Sequence, residues 1–180
     1  MAWAEHQEQM RTLGDLVGTF NRDHRFTSDD VRLMHRAWLG GIYSWAGNYR
    51  RVNLSKGDFP FSAAAQISRL MEEFEVGPLR EHTPCNSSAV DAIIRALAVV
   101  HTELVLIHPF REGNGRLARL LSTLMALQAG IPPLDFGGVM GQRRREYFAA
   151  VQAGLDRNYR PMERIFNLVL KRTRRIVGET

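Results

Sequence analysis

Cysteine is nearly absent: Cys85 stands alone in 180 residues. One thiol can form neither an intrachain disulfide nor a cysteine zinc cluster. Runs of eighteen apolar residues are absent, so no membrane span is expected. The start, Met1-Ala2-Trp3-Ala4-Glu5-His6, lacks a basic region followed by an apolar one, so no secretory leader is expected. A reducing cytoplasm is then the expected compartment. Repeats, low-complexity tracts and linkers are missing, so residues 1–180 are expected to form a single domain. The order H-E-x-x-H is also missing. His101, Glu103 and His108 lack the spacing that would place two imidazoles on one zinc ion.

Hydrophobic residues make up 44% of the chain, enough for a sizeable core, and the formal net charge is +5 with a pI near 10.0. The densest basic runs are Arg143-Arg144-Arg145 and Lys171-Arg172-Thr173-Arg174-Arg175. Both lie on or beside predicted helices without interleaved aromatics. They read as solvated helix faces, and nucleic acid is not an expected partner.

Periodicity predicts helices almost throughout. Met10, Leu13, Leu16 and Val17 mark a first helix over 4–20. Thr27-Ser28-Asp29-Asp30 is a capped start for a second, carrying Val31, Met34, Trp38 and Leu39, with His35 as a packed core histidine. In Ile42–Arg50, Trp45 is a large anchor and Gly47 permits a tight turn. Residues 52–61 read as a hairpin turning at Lys56-Gly57-Asp58. A third helix over 62–76 is expected to stop at Gly77-Pro78. Asn86 or Ser87 should cap a long apolar helix reaching Ile107, with Asp91 and Arg95 paired on its wet face. That helix should be the buried centre, closed by His108-Pro109. Helices over 114–129, 139–157 and from Pro161 onward complete the count.

The stretch His108-Pro109-Phe110-Arg111-Glu112-Gly113-Asn114-Gly115-Arg116-Leu117-Ala118-Arg119 carries the chemistry. Glycines at a helix N-terminus let consecutive N–H groups converge on a phosphate, where the helix dipole favours negative charge. Arg116 and Arg119, three residues apart, share a helix face and can reach outer phosphates. Glu112 can hold a divalent cation between phosphates. His108 remains as base or nucleophile, and Phe110 should anchor the loop inward.

HPFREGNGRLAR resembles the Fic signature, H-x-F-x-[DE]-G-N-G-R-x-x-R, at every fixed position. The likeness covers residues 30–165. It implies an all-α Fic fold: a helical bundle around a central helix–loop–helix, with one β-hairpin, the flap, over the active site. The Trp45-Ala46-Gly47 segment, followed by a basic residue, looks like the element preceding that flap. Lys56, Gly57, Asp58 and Phe59 would dock the target's backbone by strand addition. The implied reaction is transfer of AMP from ATP to a protein hydroxyl. His108 would act as base, Glu112 would hold Mg²⁺, and Gly113, Asn114 and Gly115 would cradle phosphate. Arg116 and Arg119 would take the β- and γ-phosphates, and Tyr147 would line the adenine side.

Many Fic enzymes are restrained by an S/T-x-x-x-E-G/N helix whose glutamate pairs with the second motif arginine. Here the sole partial match is Ser68–Glu72, followed by Glu73 where Gly or Asn belongs. By resemblance, a separate antitoxin would supply the helix and this chain would be the toxin, with the gyrase B or topoisomerase IV subunit as candidate target. Doc-like relatives, which phosphorylate instead, carry a lysine at the second motif glycine. Gly115 keeps the AMP-transfer form. A Doc-like kinase, UMP or phosphocholine transfer on the same fold, and a basic module binding nucleic acid or a partner with an inert nucleotide site are the alternatives.

Overall fold

The computed structural model describes residues 2–141 and 143–178. In chain order the elements are α1 (Ala2–Thr19), α2 (Ser28–Leu39), the strands β1 (Ser55–Lys56) and β2 (Phe59–Pro60), α3 (Ile67–Phe74), α4 (Arg80–His82), α5 (Val90–Ile107), α6 (Asn114–Gln128), α7 (Gly137–Met140), α8 (Arg144–Ala153) and α9 (Arg160–Val177). Among the described residues the only sheet is the antiparallel β1–β2 pair, in which Ser55 faces Pro60 and Lys56 faces Phe59. The fold is therefore helical with one hairpin, as expected.

Helix α5 is the axis. Its apolar residues leave little polar surface, and Leu97, Val100 and Leu104 are wholly buried. It packs against α3, α6, α8 and α9. Helix α2 begins at Thr27, whose hydroxyl accepts from the Asp30 N–H while Asp30 accepts from the Thr27 N–H.

Several expectations fail at helix ends. Gly77-Pro78 does not stop the third helix. The backbone widens into a π turn, Glu75–Leu79, and continues as α4. The wider turn takes in a residue that has no N–H and would clash with a carbonyl four residues back. Glu75 in that turn accepts from the N–H and hydroxyl of Ser28 at 2.7 and 2.6 Å, holding the start of α2. Neither Asn86 nor Ser87 caps α5, whose N-cap is Ala89; the Ser87 hydroxyl accepts from the Ala89 N–H. Arg95 does not pair with Asp91 but with Glu163 of α9, at 2.6 Å.

The helix expected over 139–157 is split into α7, α8 and a 3₁₀ turn over Gly154–Asp156, and Leu155 is exposed. Gly154 explains the tight end of α8, because a Cβ there would lie 2.2 Å from Thr102 Cγ2 on α5. In α1, Leu16 is buried but Val17 faces solvent; Met10 lies outside the described side chains. In α9, Leu168 is partly exposed while Ile165, Phe166, Val169 and Leu170 are buried. The basic run from Lys171 continues this helix, with Arg172 bonded to Asp135 at 2.5 Å; residues 179 and 180 lie outside the described residues.

Candidate active site

His108 ends α5 in the left-handed conformation, φ 53° and ψ 57°, its N–H returned to the Leu104 carbonyl. Pro109 then turns the chain away from the helix. The loop that follows is fixed from below. Phe110 is fully buried and stacks on His35 at 3.9 Å. Asn114 accepts from the Phe110 N–H and donates to the Phe110 carbonyl, both at 2.8 Å. Its side chain thus holds the loop in shape. Gly113, the N-cap of α6, takes φ 82°, and a Cβ there would meet the Trp38 ring at 2.9 Å. The first N–H groups of α6 have no carbonyl partner within the helix and form its positive end.

His35 is the core histidine expected, and it does more than fill space. Its Nδ1 accepts from the Gly47 N–H at 2.9 Å, so Nε2 carries the proton it donates to the Glu112 carbonyl at 3.1 Å. Burial pushes its pKa down to about 4, so the ring stays neutral. Arg50 is a second support. Its buried guanidinium donates to the carbonyls of His108 (2.7 Å), Val52 (2.6 Å) and Ser62 (2.5 Å), and its N–H to that of Pro109 (2.9 Å). It sits at the negative end of α5 and joins the hairpin to the motif loop.

The His108 ring lies against Phe61, centroids 3.6 Å apart. Its Nδ1 is 3.1 Å from the Val105 carbonyl, an atom that can only accept. The proton is therefore on Nδ1, and Nε2 keeps a free lone pair. Burial, with smaller effects from Arg50 and Lys56, lowers the pKa to about 4. The imidazole is in its basic form at neutral pH.

His108 lines a cavity of about 610 Å³ with three walls. The motif wall carries Glu112, Gly113, Asn114, Gly115, Arg116 and Arg119; the hairpin wall Leu54, Ser55, Lys56, Phe59 and Phe61; the α8 wall Arg144, Tyr147, Phe148 and Gln152. The structure thus gathers all the motif residues with Lys56, Phe59 and Tyr147. Gly57 and Asp58 form the exposed hairpin tip and do not line the cavity.

The Glu112 carboxylate is largely exposed, accepting from the Gly113 N–H at 2.9 Å and lying 3.4 Å from Arg116. Arg116 also lies over the Trp38 ring, 4.8 Å from its centroid. Glu112 could give a hard cation one carboxylate, leaving further positions to substrate oxygens and water. Lys56 reaches across the cavity to within 3.5 Å of the Phe148 ring. Glu72, in the partial S-x-x-x-E match, is exposed on α3 and does not line the cavity.

Sequence reasoning missed Arg144, Phe148 and Gln152, because α8 comes to this wall only through tertiary packing. Arg144 in particular belongs to a run that reads, in sequence, as a solvated helix face. The support role of Arg50 was missed too; its one signal was a basic residue soon after Trp45-Ala46-Gly47.

Comparison with known proteins agrees with this geometry. The model of the Fic/DOC family matches residues 25–126, more than half of the chain. Protein adenylyltransferase fic-1 of Caenorhabditis briggsae is 34% identical over 142 residues, which is 78% of this chain and 26% of that protein. The chain thus spans about a quarter of the length of that relative. A structure of Fic-1 (residues 134–508) from C. elegans superposes with a TM-score of 0.73 at 27% identity, covering 97% of this chain and 49% of that one. BepC from Bartonella tribocorum with bound AMPPNP shares the fold, with a TM-score of 0.69 at 19% identity over 92% of this chain and 83% of that one.

Proposed function

The chain belongs to the Fic/DOC family, and from that premise we propose that it transfers AMP from ATP to a hydroxyl side chain of a target protein. One observation carries the reading: a neutral imidazole with a bare Nε2 faces the same cavity as a helix N-terminus, two arginines and a lone exposed carboxylate. Relatives named protein adenylyltransferase, and a nucleotide analogue bound to the same fold in BepC, support it.

The chain's own groups account for each demand of the reaction. The target hydroxyl gives its proton to His108 Nε2 as its oxygen attacks the α-phosphorus. The bond from that phosphorus to the bridging oxygen breaks, and pyrophosphate leaves. Little charge need develop on the nucleophile in a loose transition state, so a weak base suffices. The N–H groups at the start of α6 and the guanidinium of Arg116 stabilise charge on the departing phosphates, and Arg119 holds the γ-phosphate. Glu112 is the residue that would hold Mg²⁺, which when bound neutralises charge between phosphates. The hairpin edge aligns the target segment by strand addition, supplying the proximity term. A separate antitoxin helix carrying the S/T-x-x-x-E-G/N glutamate is the proposed regulator, with the gyrase B or topoisomerase IV subunit as first candidate target.

The test uses purified chain, Mg²⁺ and bacterial lysate, with ATP labelled at the α- or the γ-phosphate. Label should enter a protein band from α-labelled ATP alone and disappear with His108→Ala. Label from the γ-position would identify a kinase. Undiminished labelling by His108→Ala would remove that residue from the mechanism.

A further inference from the structure

His108 is held on one side by a residue of the hairpin. Phe61 follows β2, and its N–H donates to the Leu54 carbonyl at 3.0 Å, which continues the β1–β2 ladder by one bond. Residues two apart on a strand face the same way. Phe59 and Phe61 accordingly both line the cavity, their rings edge to face at 5.6 Å. The Phe61 ring lies on the His108 imidazole with centroids 3.6 Å apart and planes 14° apart.

This stack has almost no sideways offset. Carbon atoms in contact stand about 3.5–4.0 Å apart, so centroids at 3.6 Å mean that the rings overlap face to face. Neutral aromatic rings prefer an offset or edge-on arrangement, because their negative faces repel. A cation over the same face is attracted. The overlap is enforced by the backbone around it. Arg50 donates to the His108 carbonyl at 2.7 Å and to the Ser62 carbonyl at 2.5 Å, so one guanidinium spans His108 and the neighbour of Phe61. The Ser62 hydroxyl donates to the Leu106 carbonyl at 3.2 Å, tying the same segment to the end of α5. In the plane of the imidazole, Nδ1–H has the Val105 carbonyl at 3.1 Å. That bond alone would let the ring swing about it. A second ring on its face fixes the plane and leaves Nε2 toward the cavity.

We infer that Phe61 is a positioning residue for His108: its face fixes the imidazole plane and favours the imidazolium that forms as the ring takes up the target's proton. This rests on the reading of His108 as the base. In that step the target's O–H bond breaks and an N–H bond forms on Nε2, while the oxygen bonds to the α-phosphorus and pyrophosphate leaves. The ring becomes a cation over the Phe61 face. Of the charged groups around it, Arg50 and Lys56 oppose that cation and Glu112 favours it. A ring face adds to Glu112 without placing another anion beside the phosphates. The contact is stronger in the transition state than before it, and such contacts raise kcat rather than tighten binding. The wall proposed to align the hydroxyl is then also the wall that aims the group receiving its proton.

The experiment measures initial rates of labelling from α-labelled ATP into the lysate band, at one lysate concentration and varied ATP. Phe61→Ala should lower the saturating rate about thirtyfold and leave KM for ATP nearly unchanged. Phe61→Leu fills the space without a π face and should lose nearly as much. Phe61→Tyr keeps the face and should stay within about threefold of the unsubstituted chain. Calorimetry with AMPPNP and Mg²⁺ should show unchanged affinity in all three. Isotope-edited NMR of the His108 ring nitrogens needs no transfer reaction. It should show one tautomer, protonated on Nδ1, in the unsubstituted chain at neutral pH, and a mixture in Phe61→Ala. Full speed in Phe61→Leu, or an unchanged tautomer in Phe61→Ala, would overturn the inference and leave Phe61 as packing. If Phe61→Ala distorts the site and loses AMPPNP, Phe61→Leu against Phe61→Tyr decides, since both fill the space. His108→Ala separates the two levels. If it abolishes labelling while the Phe61 variants label normally, only the inference falls. If labelling survives in His108→Ala, the reading of His108 falls and takes the inference with it.

Discussion

The loop from His108 to Asn114 is held from beneath by groups that are almost wholly buried, whereas the hairpin from Ser55 to Pro60 faces it with two residue pairs and mostly solvent-exposed side chains. His35 and Arg50 give the loop hydrogen bonds from two other parts of the chain, and the Asn114–Phe110 pair closes it from within. The hairpin is tied at its base, by the Arg50 bonds to Val52 and Ser62 and by the Ser62 hydroxyl donating to the Leu106 carbonyl at 3.2 Å, and has a Lys56 contact to Phe148 near its tip. Phosphates must meet donors within a fraction of an ångström if charge is to be stabilised as it develops. A docking edge must instead leave N–H and C=O groups open to a partner strand. One wall is therefore preorganised, and the other keeps an open edge, as the proposed docking of a target strand requires.

The largest effect should come from cutting the tie between the walls. Arg50→Met leaves the carbonyls of His108, Val52 and Ser62 without their donor. Each such loss costs about 1–3 kcal/mol, so the variant should lose on the order of 4 kcal/mol in urea unfolding, along with most transfer activity. A loss under about 1 kcal/mol would mean that the loop is not held from below as described.

Acid should act next, on the built wall and its supports. His35 has its pKa lowered from 6.5 to about 4 and His101 to about 3 in the folded chain. The unfolded chain binds protons first as pH falls through 6.5, so the stability these neutral rings contribute is full above that value and declines toward pH 4. Each can account for up to about 2 kcal/mol at pH 5. Urea midpoints at pH 7.5 and pH 5 check this, and equal midpoints would contradict it. Because His108 is also lowered to about 4, transfer should show no step near pH 6.5, where an ordinary histidine titrates.

The smallest effect belongs to the open wall. Lys56→Ala removes a cation–π contact worth about 1 kcal/mol or less and should leave unfolding nearly unchanged. It should raise KM for the target protein with little change in ATP affinity. A variant that chiefly weakened ATP would move Lys56 from target docking to the nucleotide.

The motif residues were legible because twelve consecutive positions encode both a turn and its ligands. Local rules also placed α2, whose capping box is written in Thr27 and Asp30. They failed where the cause lay elsewhere in the chain. Pro78 looked like a stop, since nothing local signals that a π turn will admit it. Asp91 and Arg95 had the right spacing, yet Glu163 on α9 took the arginine. Arg50, Phe61 and Arg144 looked unremarkable in sequence, because what they do depends on carbonyls and rings brought near by packing.

The cavity's walls differ in where the genome stores them. The groups proposed to remove the proton and bind phosphate are written in one uninterrupted stretch, HPFREGNGRLAR, while the α8 wall comes from codons some thirty positions downstream and the hairpin wall from codons some fifty upstream. On the proposed function, substitutions at Arg144, Phe148 or Gln152 could therefore reshape the cavity's α8 wall without touching the motif. Substitutions at Ser55 or Lys56 would, on the same proposal, alter the hairpin edge alone.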